Sequence, residues 1–149
     1  MNIISDTQTI EEKLRTLMPI LKPYEVDHLL MMLSKTPVEI NKPPEHGLIM
    51  IQTQDCFGVD FYLGELLVTT AEVECCGVFG HATIMGKEPL KATLAATVNA
   101  IIRSPKSGEL DKIKPHVECF MLRLNTQCQQ ERKLTAATKV NFESMADEA

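Results

Sequence analysis

Cys75 and Cys76 stand side by side, and His81 follows after a stretch containing Gly77 and Gly80. If the chain reverses there, a thiol and an imidazole can face each other across a hairpin. Nucleophilic thiol catalysis needs that pair, with a third group to orient the base. Residues flanking a turn also come close by geometry alone, and no third group is evident. A few residues on, "GHATIMGKE" (Gly80 to Glu88) has the outline of a phosphate-binding loop. That loop requires four residues between its glycines and a hydroxyl residue after the lysine. Here five residues intervene and Glu88 holds the hydroxyl position. Gly86 is instead read as a strand-to-helix turn. His28, His46, His81 and His116 show no helical i, i+4 pair and no zinc-ligand spacing, so they are read as scattered surface residues. The cysteines number five, an odd count without a C-x-x-C pair, which fits reduced thiols in a cytosolic protein. Neither a metal nor a cofactor is expected in this chain.

Glu65 is the sharper case. It interrupts "FYLGELLVTT", a segment otherwise apolar, β-branched or glycine. A lone buried carboxylate is costly unless it is paired or protonated. Three roles compete: an interface or structural anchor first, an exposed side chain on an edge strand second, a catalytic acid third. A catalytic acid needs a partner group in a cleft, and none is evident.

These residues must be positioned by a single domain spanning residues 1–149, a length that suits one core. The net charge is −5 without a basic patch, which argues against nucleic-acid binding. No apolar run approaches the length of a membrane span, and "MNIISDTQTIEEKL" lacks the layout of a secretion signal. A cytoplasmic location without membrane attachment is expected.

Helical spacing of Ile10, Leu14, Leu17, Met18 and Leu21 predicts a first helix, and Pro23 opens a second over "PYEVDHLLMMLSK". A short strand is expected at Val38–Ile40. Pro43 and Pro44 then bar a central strand, "EHG" turns, and "LIMIQTQ" forms the next strand. A long strand follows from about Asp60 to Glu74, apolar on both faces, so cover on both sides is expected. "VFGHATIM" is the last strand, and the short turns make all neighbours antiparallel. From Lys87 a helix begins that has no charged residue between Ala92 and Ile102. Such a helix is buried all round. Its Leu90, Leu94, Val98, Ile101 stripe is assigned to the sheet, and Ala92, Ala96 and Ala100 to a close backbone approach elsewhere. "RSPKSGEL" is a loop, and Ile113 to about Leu134 is the fourth helix. In the tail, residues 138–149, Val140 and Phe142 alternate with polar residues as in a docking strand. The class is α+β: N-terminal helices, a small antiparallel sheet of three to four strands, two helices and an extended tail.

The series "HGLIMIQTQD", "FYLGELLVTTAEV", "GVFGHATIMGKE" and "ATLAATVNAI", closed by "TKVNFESM", resembles the G subunit of the carbon–phosphorus lyase system, the PhnG family. The order and spacing match from about Leu17 to Met145. In that family a T-R pair stands where this chain has Thr69-Thr70. G-R-D is here Gly86-Lys87-Glu88, and D-A-L is Asn99-Ala100-Ile101. One arginine and one acid are therefore absent. The resemblance implies an accessory subunit, not catalytic alone, that works with H, I, J and L subunits or with a second copy of itself. In that system G, H, I and L attach a phosphonate to the ribose triphosphate of ATP and expel adenine, with ATP as substrate of the complex. The residues expected to serve as interface or structural anchors are Phe61, Gly64, Glu65, Thr69, Gly86, Val140 and Phe142. The alternatives are a stand-alone dimeric binding module and a thiol-dependent enzyme.

Overall fold

A computed structural model describes residues 3–138. Two helices, α1 (Ile3–Leu17) and α2 (Pro23–Leu33), precede three strands, β1 (Val38–Gln54), β2 (Asp60–Cys75) and β3 (Val78–Met85). α3 (Pro89–Arg103), a 3-10 turn (Ser107–Lys112) and α4 (Lys114–Ala137) follow. The sheet is antiparallel in the order β1-β2-β3. The α+β class holds, with three strands.

Each helix buries the stripe its spacing dictates. Ile10, Leu14 and Leu17 of α1 and Met18 just after it, with Val26, Leu29 and Leu33 of α2, enter one core with Leu94, Val98 and Ile101 of α3 and Val117 of α4. α3 is covered nearly all round, as its lack of charge requires. Its orientation differs from expectation. A Cβ added at Gly80 of β3 would lie 2.3 Å from the Ala96 carbonyl oxygen and 2.4 Å from the Ala100 nitrogen. The small-residue face therefore sits on the sheet, with backbone against backbone, while Leu90 at the helix start is exposed.

β1 is also corrected. It runs unbroken for 17 residues through Pro43 and Pro44, and "EHG" pairs with Thr70, Thr69 and Val68 in place of turning. The physical reason is its place at the sheet edge, where a missing N–H breaks no ladder and irregular register absorbs the prolines. The register shifts lie between Ile40 and Lys42 and between Lys42 and Glu45. "SGEL" coils into the 3-10 turn and buries Leu110.

The expected cover on both faces of the long strand is replaced by cover on one face of its second half: Thr69, Ala71, Val73 and Cys75 are buried, while Thr70 on the other face is exposed and Glu72 and Glu74 are half-buried. β3 pairs with β2 from Val68 to Cys75, so beyond Leu67 the sheet is only the β1–β2 hairpin. That two-stranded arm reaches from Leu48↔Leu67 to Gln54↔Asp60, roughly 20 Å at 3.3 Å per residue.

Candidate functional site

The arm presents apolar side chains that a self-contained domain would bury. Leu48, Ile49 and Met50 of β1 and Phe61, Tyr62 and Leu63 of β2 are all exposed, Leu63 at 66% and Tyr62 at 68%. Strand alternation puts Leu48 and Met50 with Leu67 and Glu65 on one face, and Ile49 and Ile51 with Leu66 on the other. The ladder shifts between Ile51 and Gln52, opposite Gly64 and Tyr62, and leaves Leu63 as the extra residue. At the tip the Asp55 carboxylate accepts the backbone N–H of Phe57 at 2.8 Å and of Val59 at 2.9 Å. That turn holds Phe57 outward at 86% exposure. Contiguous exposed apolar surface marks an interaction site, and a rigidly held aromatic at its tip is the kind of residue that anchors one.

Glu65 lies opposite Met50 on the face that carries α3 further along the strand, but past the helices' reach, and it is exposed. Phe61 and Gly64 lie on the same arm. Thr69 and Gly86 lie elsewhere and meet. Thr69 is fully buried at the root of the arm. Its hydroxyl donates to the Gly86 carbonyl at 2.5 Å and accepts the Glu88 backbone N–H at 3.0 Å, and His46 Nδ1 lies 3.0 Å away. A hydroxyl has one proton and two acceptor positions. With its proton on Gly86, the contact with His46 requires that Nδ1 be the donor. Thr69 thereby ties β1, β2 and the β3–α3 turn at one atom. Gly86 has φ +85° in that turn, a conformation open to glycine. Beside it, Glu88 pairs with the largely buried Lys91 at 3.2 Å. Val140 and Phe142 lie outside the described residues.

The thiol–imidazole pair is not assembled. Cys75 pairs with Val78, and the positive φ values of Cys76 and Gly77 make the two-residue turn between them. His81 stands three ladder positions away, opposite Glu72, and lies 3.1 Å from its carboxylate. Cys75 is buried against Ser104, and burial pushes its thiol above the usual range, away from an activated nucleophile.

Thr70 and Asn99, which stand where the resembled family has Arg and Asp, flank one stretch of β3. Thr70 lies opposite Thr83. Asn99 lines a groove of about 340 Å³ with Glu11, Arg15, His81 and Thr83. A further charged contact was not read from the sequence. Glu25 of α2 is 4% exposed, yet its carboxylate receives both terminal nitrogens of Arg123 from α4 and the backbone N–H of Lys22 at 2.9 Å. The Arg123 guanidinium is the main cause that holds the Glu25 carboxyl below the usual range.

The model of the family described as "Phosphonate metabolism protein PhnG" matches residues 12–147. The chain belongs to that family. Alpha-D-ribose 1-methylphosphonate 5-triphosphate synthase subunit PhnG of Rhizobium meliloti (strain 1021) is 33% identical over 104 residues. The aligned region takes in 68% of this chain and 65% of that relative, just under two thirds of its length. Within the matched range Thr69 is joined by hydrogen bonds to Gly86 and Glu88, which are remote from it in sequence. No helix among the described residues is long and apolar enough to cross a membrane.

Proposed function

We propose that this chain is an accessory subunit of a phosphonate-degrading carbon–phosphorus lyase assembly. In this reading it supports the transfer of a phosphonate onto the ribose triphosphate of ATP with release of adenine, and acts in the cytoplasm. The observation that carries the proposal is the family match over residues 12–147 in a chain whose β1–β2 arm is exposed on both faces. A two-stranded ribbon alone is marginally stable in water. Its exposed Leu, Ile, Met, Phe and Tyr side chains would each contribute roughly 1.5–3 kcal/mol if covered. The arm is therefore read as the surface that docks on the other subunits, of the H, I, J or L kind. The tail with Val140 and Phe142 serves as a second contact to a partner or to another copy. Glu65, exposed beside Met50, is suited to meeting a cationic or hydrogen-bonding group of the partner.

Substitution on the arm tests this. Phe57→Ser combined with Leu63→Ser should leave the far-UV spectrum and the unfolding midpoint of the isolated chain unchanged, while co-elution with the partner subunits on size exclusion is lost. Undiminished co-elution would remove the arm from the interface.

A further inference from the structure

His28 and His116 stand 88 positions apart and share no motif, yet the fold brings them together. His28 lies on the exposed side of α2, and His116 lies in the first turn of α4. Their ring centroids are 5.2 Å apart with the planes inclined at 55°. His116 Nδ1 is shielded from solvent and makes no hydrogen bond; among the described residues no other buried side-chain nitrogen or oxygen lacks a partner. Buried polar atoms are nearly always satisfied, so an orphan calls for an explanation. A ring contact alone gives none: 5.2 Å falls within the ordinary 4.5–7 Å range of aromatic pairs, but such a contact leaves the nitrogen without a partner.

A shared metal ion accounts for both facts. With metal–nitrogen distances of about 2.0–2.1 Å, and ring centres about 1.2 Å behind the ligating atoms, two imidazoles on one tetrahedral ion have centroids about 5.2–5.4 Å apart. Two neutral imidazoles suit zinc, nickel or copper over magnesium or calcium. The same seam between α2 and α4 already holds an ion pair, since Glu25 is one turn before His28 and Arg123 two turns after His116. We propose that His28 and His116 form a two-histidine site for a transition-metal ion of the zinc class, bridging α2 and α4. Among the described residues no third His, Cys, Asp or Glu converges with them. The ion would keep open positions for water or for a ligand from another chain. The sequence offered four scattered histidines and no metal set. The pairing arises only because two helices distant in sequence cross.

Calorimetric titration of the full chain with zinc and with nickel, under reducing conditions, tests the site. The expected result is one saturable ion per chain, with affinity at least tenfold weaker in both H28Q and H116Q. Cys119, an exposed thiol one turn after His116, supplies the control, and C119S should bind as the parent does. Bound metal should raise the Tm of the parent and not that of the histidine variants. His28 is exposed, so H28Q decides the matter if H116Q fails to fold. The proposal is overturned if no ion saturates at millimolar concentration, if H28Q binds as tightly as the parent, or if C119S alone abolishes binding.

Discussion

Removal of one partner of the Glu25–Arg123 pair should reveal how α2 and α4 are held together. The Glu25 carboxylate is out of water and accepts from both Arg123 terminal nitrogens and from Lys22 N–H, so it also caps the start of α2. Arg123 is different: its side chain is 47% exposed and lies over the Phe120 ring. When Glu25 goes, Arg123 can return to solvent. When Arg123 goes, Glu25 keeps one backbone donor and is otherwise stranded. Charge-assisted hydrogen bonds contribute about 1.5–3 kcal/mol, and an unsatisfied buried partner costs more. Breaking a fully buried pair costs about 3–5 kcal/mol, an upper limit here because Arg123 is half in water. Arg123→Ala should therefore destabilise by about 2–3 kcal/mol. Glu25→Gln, which retains acceptor and shape, should cost about 1–2 kcal/mol. The carboxyl pKa is depressed in the fold, so its contribution is fully present above the unfolded value of about 4.3 and is lost as pH falls through the lower folded value. Urea unfolding followed by far-UV circular dichroism, at neutral pH and across the acid range, reads both effects. Glu25→Gln should lose less stability than the parent as pH falls below about 4.3. If both variants keep the parental midpoint and acid response, the clamp contributes nothing.

Three other outcomes follow from named contacts. Thr69→Val should cost about 2–4 kcal/mol, because the Gly86 carbonyl and the Glu88 N–H lose their partner; Thr69→Ser should recover most of that in the same denaturation assay. Gly80→Ala should cost about 3 kcal/mol or more, since the atoms a methyl would strike are backbone of α3; an unaltered Tm would contradict the close packing. Among the cysteines, maleimide labelling of the native chain should modify Cys76 readily and leave Cys75 protected; equal rates would show that the hairpin end opens.

Helix positions were legible because each burial stripe repeats locally: Pro23 and Pro89 mark helix starts, and Leu14, Leu17 and Leu94 repeat at the helical period. β3 was legible from its turns. What escaped depends on relations between distant segments. The prolines of β1 are tolerated because the strand lies at an edge, which spacing alone does not reveal. The alanine face of α3 belongs to the sheet because Gly80 makes room for it, a match of two segments that neither announces. Thr69 was named as an anchor from the family pattern, while its link to Gly86 and Glu88 needed the register of β2 against β3. Glu25 caps the start of α2 by accepting the Lys22 N–H, but with Lys at the cap position the sequence carried no capping-box signal for it. Its second role, holding Arg123, carried none, and neither did the meeting of His28 with His116.

The most direct test of the accessory reading is adenine release from ATP in the presence of methylphosphonate, measured by chromatography. The partner subunits would be assayed with and without this chain, beside the chain alone. The account predicts no catalytic release by the chain alone, and release by the partners that falls at least tenfold when it is omitted. Turnover by the isolated chain, or partner activity indifferent to its absence, would contradict it.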